Sequence, residues 1–225
     1  MSRSILIAAN TDELTDLLAR EALAAGFTTL VAGAAAAPES GSGAAAGLED
    51  PARQQPILVP WNRRSPLSAR ALLVQATNAV SPITDVIYLH NVQTTRTPFH
   101  ETGAAVIERT IDNDAKGRLF FLRETLGYLQ RNGAGSLTLL LNGTADEDAL
   151  PLDAESAGAF LAFGRALFRL YQNEPIDLRG YQTSGAAEQD FAAYVIQQLI
   201  NDGAGRRGRW QKYSSRPGLF SLGRS

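Results

Sequence analysis

The chain has 225 residues, with 21 basic and 23 acidic side chains and a formal net charge of −2. That balance excludes whole-chain attraction to nucleic acid or to an anionic membrane. There is no cysteine and there are two histidines, His90 and His100, so disulfides, thiolate chemistry and cysteine-bound zinc are excluded and no metal site is expected. No apolar run reaches membrane-spanning length and Met-Ser-Arg-Ser is not a signal peptide, so a soluble cytoplasmic protein is expected. The length fits one α/β domain over residues 1–225. Among the basic residues only Lys116 and Lys212 are lysines, and with the many alanines this suggests a GC-rich bacterial source.

Residues 4–27 read SILIAANTDELTDLLAREALAAGF. Ile5-Leu6-Ile7 is a short apolar run of the kind that forms a buried parallel strand. A polar turn follows, then a helix with Leu14, Leu17, Leu18, Ala22 and Ala25 on its apolar side and Gly26 at its end. Strand, tight turn and helix make the first unit of a nucleotide-binding sheet, in which the turn receives a pyrophosphate. This turn has no glycine. Asn10 is placed to cap the helix with Glu13 three residues on, and Asp12 and Glu13 meet the helix dipole themselves. A carboxylate about 4 Å from a phosphate charge costs roughly 4 kcal/mol at an effective dielectric near 20, against about 0.3–1 kcal/mol gained from the dipole. On that comparison an anionic dinucleotide is turned away.

Residues 28–32 (TTLVA) read as a second strand. Residues 33–55 are small and punctuated by Gly and Pro, as in a flexible surface connection. Gly33 and Ala34 supply neither the acid that binds a ribose nor the arginine that binds a 2′-phosphate. Residues 56–60 (PILVP) form a third strand leading to Trp61-Asn62, and 66–80 a helix with Leu67, Leu72, Leu73 and Ala76 on its buried side. Residues 85–89 (DVIYL) form a fourth strand ending at His90-Asn91-Val92. A long helix lies within 110–132, a fifth strand at 137–141, an acidic loop at 146–153 and an apolar helix at 156–171. A sixth strand at 176–181 and a helix at 188–200 follow, then a basic tail, 206–225, with a candidate last strand at 218–222. Alternating strands and helices imply a doubly wound parallel sheet in a three-layer αβα domain.

The order and spacing of these elements resemble the short-chain dehydrogenase/reductase family over nearly the whole chain, which implies a Rossmann-like fold. The family's three turn glycines fall on Ala9, Glu13 and Thr15. Asn62 stands where the family has an aspartate near the adenine, and His90-Asn91-Val92-Gln93 where it has Asn-Asn-Ala-Gly, with Asn91 the one match. Asn113 lies near the family's active-site asparagine. The family's Tyr-x-x-x-Lys pair, its acid/base and the group that tunes it, falls on Asp153 and Ala157. None of the residues four places after the six tyrosines is lysine, so the pair occurs nowhere in the chain. After the fifth strand, where the family has its serine, only Thr144 offers a hydroxyl. The resemblance also implies a homodimer or tetramer through 118–131 and 157–171.

Three readings follow. The first is a non-catalytic protein of this fold with a binding or assembly role, no cofactor, and an active family member as a candidate partner. The second is a divergent NAD- or NADP-dependent oxidoreductase using Asn62, Asn91 and backbone contacts, with His90 or a tyrosine as acid. The third is a binder of another small ligand at the carboxyl edge of the sheet, where Asp12 and Glu13 favour a cationic or hydroxyl-rich molecule; Asn10, Asp12, Glu13, Asn62 and Asn91 line the would-be cofactor cleft. The residues Arg206, Arg207, Arg209, Lys212 and Arg216 with Trp210 and Tyr213 interleave basic and aromatic groups. A basic tail packing on an acidic body is the expectation there, ahead of nucleic acid. His100 and Glu101 are expected at the surface, as is the run Asp146, Glu147, Asp148, which lacks the spacing of a calcium loop.

Overall fold

The computed structural model describes residues 3–9, 13–33, 55–92, 97–143, 149–183, 187–201 and 208–213. Their strands are β1 (Ser4–Ala8), β2 (Thr28–Gly33), β3 (Ile57–Pro60), β4 (Asp85–Asn91), β5 (Ser136–Asn142), β6 (Asp177–Thr183) and β7 (Trp210–Lys212). Their α-helices are α1 (Glu13–Ala24), α2 (Pro66–Ala79), α3 (Ala104–Thr110), α4 (Gly117–Asn132), α5 (Pro151–Leu170) and α6 (Glu188–Ile200). The strands form one sheet in the order β3-β2-β1-β4-β5-β6-β7, with every pairing parallel. A parallel sheet must be covered on both faces, and the runs of Ile, Leu and Val in its central strands meet that demand.

Side chains alternate across the strands, so each strand feeds two cores. Leu6, Leu30, Val86, Tyr88 and Leu139 pack with α2, α4 and α5 on one side. Ile5, Ile7, Val31, Ile87 and Leu140 pack with α1 and α6 on the other. The order reverses between β1 and β4, and in open α/β sheets the carboxyl ends of the strands at such a switch point are where ligands bind.

The single sheet and the layered fold agree with the sequence reading, and the differences have local causes. The long helix begins earlier: α3 runs through a π-helical turn, Ile111–Lys116, into α4. The expected acidic loop at 146–153 ends at a helix, because Pro151 occupies the first turn of α5, where its missing N–H costs nothing. Leu67 is 77 % exposed, being set opposite the stripe Leu72, Leu73 and Ala76 at 100° per residue. Residues 34–54 of the expected flexible connection, and the candidate strand at 218–222, lie outside the described residues. The last described strand is instead β7, within the stretch read as a basic tail. No described helix is long and apolar enough to cross a membrane.

Candidate functional site

The carboxyl edge of β4, β5 and β6 is held in register by its own backbone. His90 pairs with Leu141, Asn91 with Asn142, and Asn142 with Thr183. Val92 N donates to Asn142 O at 2.9 Å and Gly143 N to Thr183 O at 3.1 Å. Gly143 has φ of +132°, and a Cβ there would meet the Val92 side chain at 2.7 Å, so the turn closes only over glycine. The Asn142 amide donates to Glu188 Oε1 at 2.9 Å, tying β5 to α6.

His90 is 2 % exposed, with its Nε2 at 2.9 Å from Ser156 Oγ and its ring 4.9 Å from that of Phe160. Burial, aided by the nearby charges of Arg118 and Arg63, lowers its pKa from 6.5 to about 3. It is therefore neutral at pH 7 and a weak base, joined to Ser156 and stacked against α5. Because the unfolded chain binds a proton at this histidine below pH 6.5 and the folded chain does not until about pH 3, stability falls as pH falls through that window. At about 1.4 kcal/mol per pH unit, acidification from 6.5 to about 5 is expected to cost about 2 kcal/mol from this residue. Urea melts of wild type and His90→Asn across that range test this, and equal pH slopes in the two proteins would refute it.

Around His90 lies a set of charges that the sequence reading missed. Arg118, on the first turn of α4, is 5 % exposed and lies over the Phe160 and Phe163 rings at 5.3 and 5.7 Å. Arg63, in the loop after β3, lies over Trp61 at 4.7 Å. The two elements touch: a Cβ at Gly117 would sit 2.8 Å from Arg63 Cβ. Burial raises the Asp114 and Tyr88 pKa values and lowers that of Arg118, with Arg63 and Arg118 partly offsetting the first two. Trp61 Nε1, Arg63 Nη2, Tyr88 Oη and Arg118 Nε are buried and make no hydrogen bond among the described residues.

Asp153 and Ala157 sit one turn apart on α5, 6 % and 0 % exposed. Asn113 lies partly buried in the π-helical turn. Asn91 is partly buried at the end of β4, and Asn62 is exposed, its Oδ1 accepting from Arg64 N at 3.0 Å. Glu13 is exposed on the first turn of α1. Asn10, Asp12 and Thr144 lie outside the described residues, as do the acidic run at 146–148 and Arg206, Arg207 and Arg216 of the basic stretch. His100 and Glu101 are exposed as expected and 3.5 Å apart. Only the π-helical turn had no sequence signal; Arg63 and Arg118 were visible as arginines beside aromatic-rich elements, but their meeting depends on the fold.

No family model and no curated protein matches this chain. Solved structures do. NADH-dependent reductase A1-R′ complexed with NAD overlays with a TM-score of 0.73 at 13 % identity, over 94 % of this chain and 95 % of its own. The 3-ketoacyl-(acyl-carrier-protein) reductase from Brucella melitensis, complexed with NADH, gives 0.75 at 9 % identity over 93 % and 96 %. Levodione reductase gives 0.76 at 10 % identity over 95 % and 97 %. The expectation of no cofactor is corrected by these matches, since neighbours of nearly the same fold and length are complexes with NAD or NADH. The repulsion argument behind that expectation placed a carboxylate about 4 Å from phosphate in a partly screened site, whereas Glu13 stands in solvent, where screening is far stronger. From strand order to chain length, this protein has the short-chain dehydrogenase/reductase fold.

Proposed function

We propose that this chain is an oxidoreductase-type protein that binds a nicotinamide dinucleotide, NAD or NADP, in the crevice at the β1/β4 switch point. The observation that carries the reading is the near-full-length likeness in fold to reductases complexed with NAD and NADH. The described residues at the crevice are compatible with such a ligand. A Cβ at Gly33, at the end of β2, would meet nothing within 4 Å, and Glu13 is exposed. Asn62 and Asn91 are the side chains that would hold the dinucleotide. When bound, it would supply the hydride. Proton handling would then fall to a group other than a Tyr/Lys pair, because Asp153 and Ala157 hold those positions.

That same pair favours a second reading, in which the dinucleotide is bound without turnover and the protein serves a binding or assembly role. In either reading the protein is a cytoplasmic homodimer through α4 and α5, where Leu119 and Leu170 are 44 % and 72 % exposed. A monomer mass by light scattering would reject the dimer. Titration with NADH and NADPH, followed by nicotinamide fluorescence, is expected to saturate in the micromolar range. Oxidation of the bound NADH by a panel of aldehydes and ketones supports the first reading, and saturation with no oxidation supports the second. No saturation with either coenzyme sinks both.

A further inference from the structure

A second cleft lies away from the switch point, between the C-terminal half of α5 and the edge strand β7, with a volume of about 770 Å³. Arg165 and Arg169 line it from α5, and Arg209 and Lys212 line it from β7 and the residue before it. Its apolar wall includes Tyr171 and Trp210. All four cationic residues are exposed, and Glu174 is the one acid among the lining residues. Arg165 and Arg169 stand four apart, on one helix face, where like charges repel. Among the described residues neither makes an ion pair. A cation in the last helical turn is favoured by the helix dipole, which accounts for Arg169. The dipole does not account for Arg165, nor for Arg209 and Lys212 on the facing wall.

The protein is net negative, so this cluster is a local concentration of positive charge and not a sample of the whole surface. Its size is that of a small-molecule site. Guanidinium pairs match phosphate oxygens in geometry, and aromatic walls accept planar rings. We propose that this cleft binds a mononucleotide-sized aromatic phosphate, with Arg165, Arg169, Arg209 and Lys212 on the phosphates and the ring against Tyr171 and Trp210. It is separate from the coenzyme crevice and does not rest on coenzyme binding. The basic and aromatic residues of the C-terminal stretch that the sequence singled out, Arg209, Trp210 and Lys212, form one wall, and α5 supplies the other.

The test is isothermal titration of the full chain, with and without NADH present, with GMP, GDP and GTP, with pyrophosphate, and with a 12-residue single-stranded DNA. One guanine nucleotide is expected to bind saturably and at least tenfold more tightly than pyrophosphate. Arg165→Ala/Arg169→Ala is expected to weaken it at least tenfold while leaving the NADH titration unchanged. Tyr171→Leu, which keeps the cations, is expected to weaken the nucleotide and leave pyrophosphate unaffected. No saturable nucleotide binding up to millimolar concentrations, unaltered affinity in the double variant, or pyrophosphate binding as tightly as the nucleotide would each overturn the proposal. DNA binding a hundredfold more tightly than any mononucleotide would overturn it in favour of a single-strand track.

Discussion

Asp85→Ala is expected to lower the stability of this protein by about 1–3 kcal/mol, read as a fall in the urea midpoint with little change in slope. Asp85 opens β4, and its side chain is 2 % exposed. It accepts from Arg3 through both oxygens, Nε to Oδ2 at 3.1 Å and Nη2 to Oδ1 at 2.8 Å. Ser136 Oγ, at the head of β5, donates to Oδ1 at 2.6 Å. Arg3 also donates to Leu199 O, at the end of α6. One carboxylate therefore fastens the amino ends of two adjacent strands to the segment entering β1 and to the last described helix. Removing it leaves the Ser136 hydroxyl buried without its acceptor, which costs about 1–3 kcal/mol.

The comparison with Arg3→Met decides which half of the pair matters more. Arg3 is 38 % exposed, so its charge recovers water when Asp85 is removed. When Arg3 is removed, Asp85 keeps the Ser136 and Thr84 hydroxyl donors but loses the cation beside a side chain that is 2 % exposed. Arg3→Met is therefore expected to destabilise at least as much as Asp85→Ala, although it deletes the more exposed partner. An Arg3→Met effect below about 1 kcal/mol would show that the pair acts as an ordinary surface bridge.

This network illustrates what the sequence could and could not reveal. The strand at the head of the chain was legible because Ile5-Leu6-Ile7 admits little else, and Gly26, at φ +83°, does end α1. That Asp85 would be buried was not legible. A charged residue at the start of an apolar run reads as the strand's solvated end, and only the parallel register with Ser136 and the proximity of Arg3 change that. The start of α5 was legible in principle through Pro151, but the acids before it read as a loop. The cluster of Arg63, Arg118, Asp114 and Tyr88 draws on the loop after β3, on β4, on the π-helical turn and on α4, and no periodicity in one sequence reports such a meeting. The cofactor inference failed for a related reason. It assigned Glu13 a position relative to a ligand from its place in the turn, and the exposure of that side chain depends on the fold.

The same gap between local signal and tertiary contact governs β7, and Trp210→Ala is expected to cost about 3 kcal/mol, the low end for a large aromatic truncation because this side chain is only partly buried. β7 is three residues long and, among the described residues, pairs with β6 alone, so its backbone is a weak hold on the edge. Trp210 holds it by wedging between α5 and β6. Its ring lies 5.4 Å from Phe160 and 5.7 Å from Phe168, and Nε1 donates to Leu161 O at 3.0 Å. Two glycines make room for it: a Cβ on Gly164 would meet Trp210 at 2.6 Å and one on Gly180 at 2.5 Å. In the truncated variant the β7 amides are expected to lose hydrogen-exchange protection while those of β4 and β5 keep theirs. Gly180→Ala tests the wedge directly. With Trp210 present it is expected to overpack the site at a cost of about 1–3 kcal/mol, and in the Trp210→Ala background to cost less, because the indole atoms at 2.5 and 2.8 Å are gone and Phe168 Cζ at 2.9 Å is the close contact left. Additive effects across that double-mutant cycle would mean that Gly180 is small for some reason other than the indole, and that β7 is held by its hydrogen bonds after all.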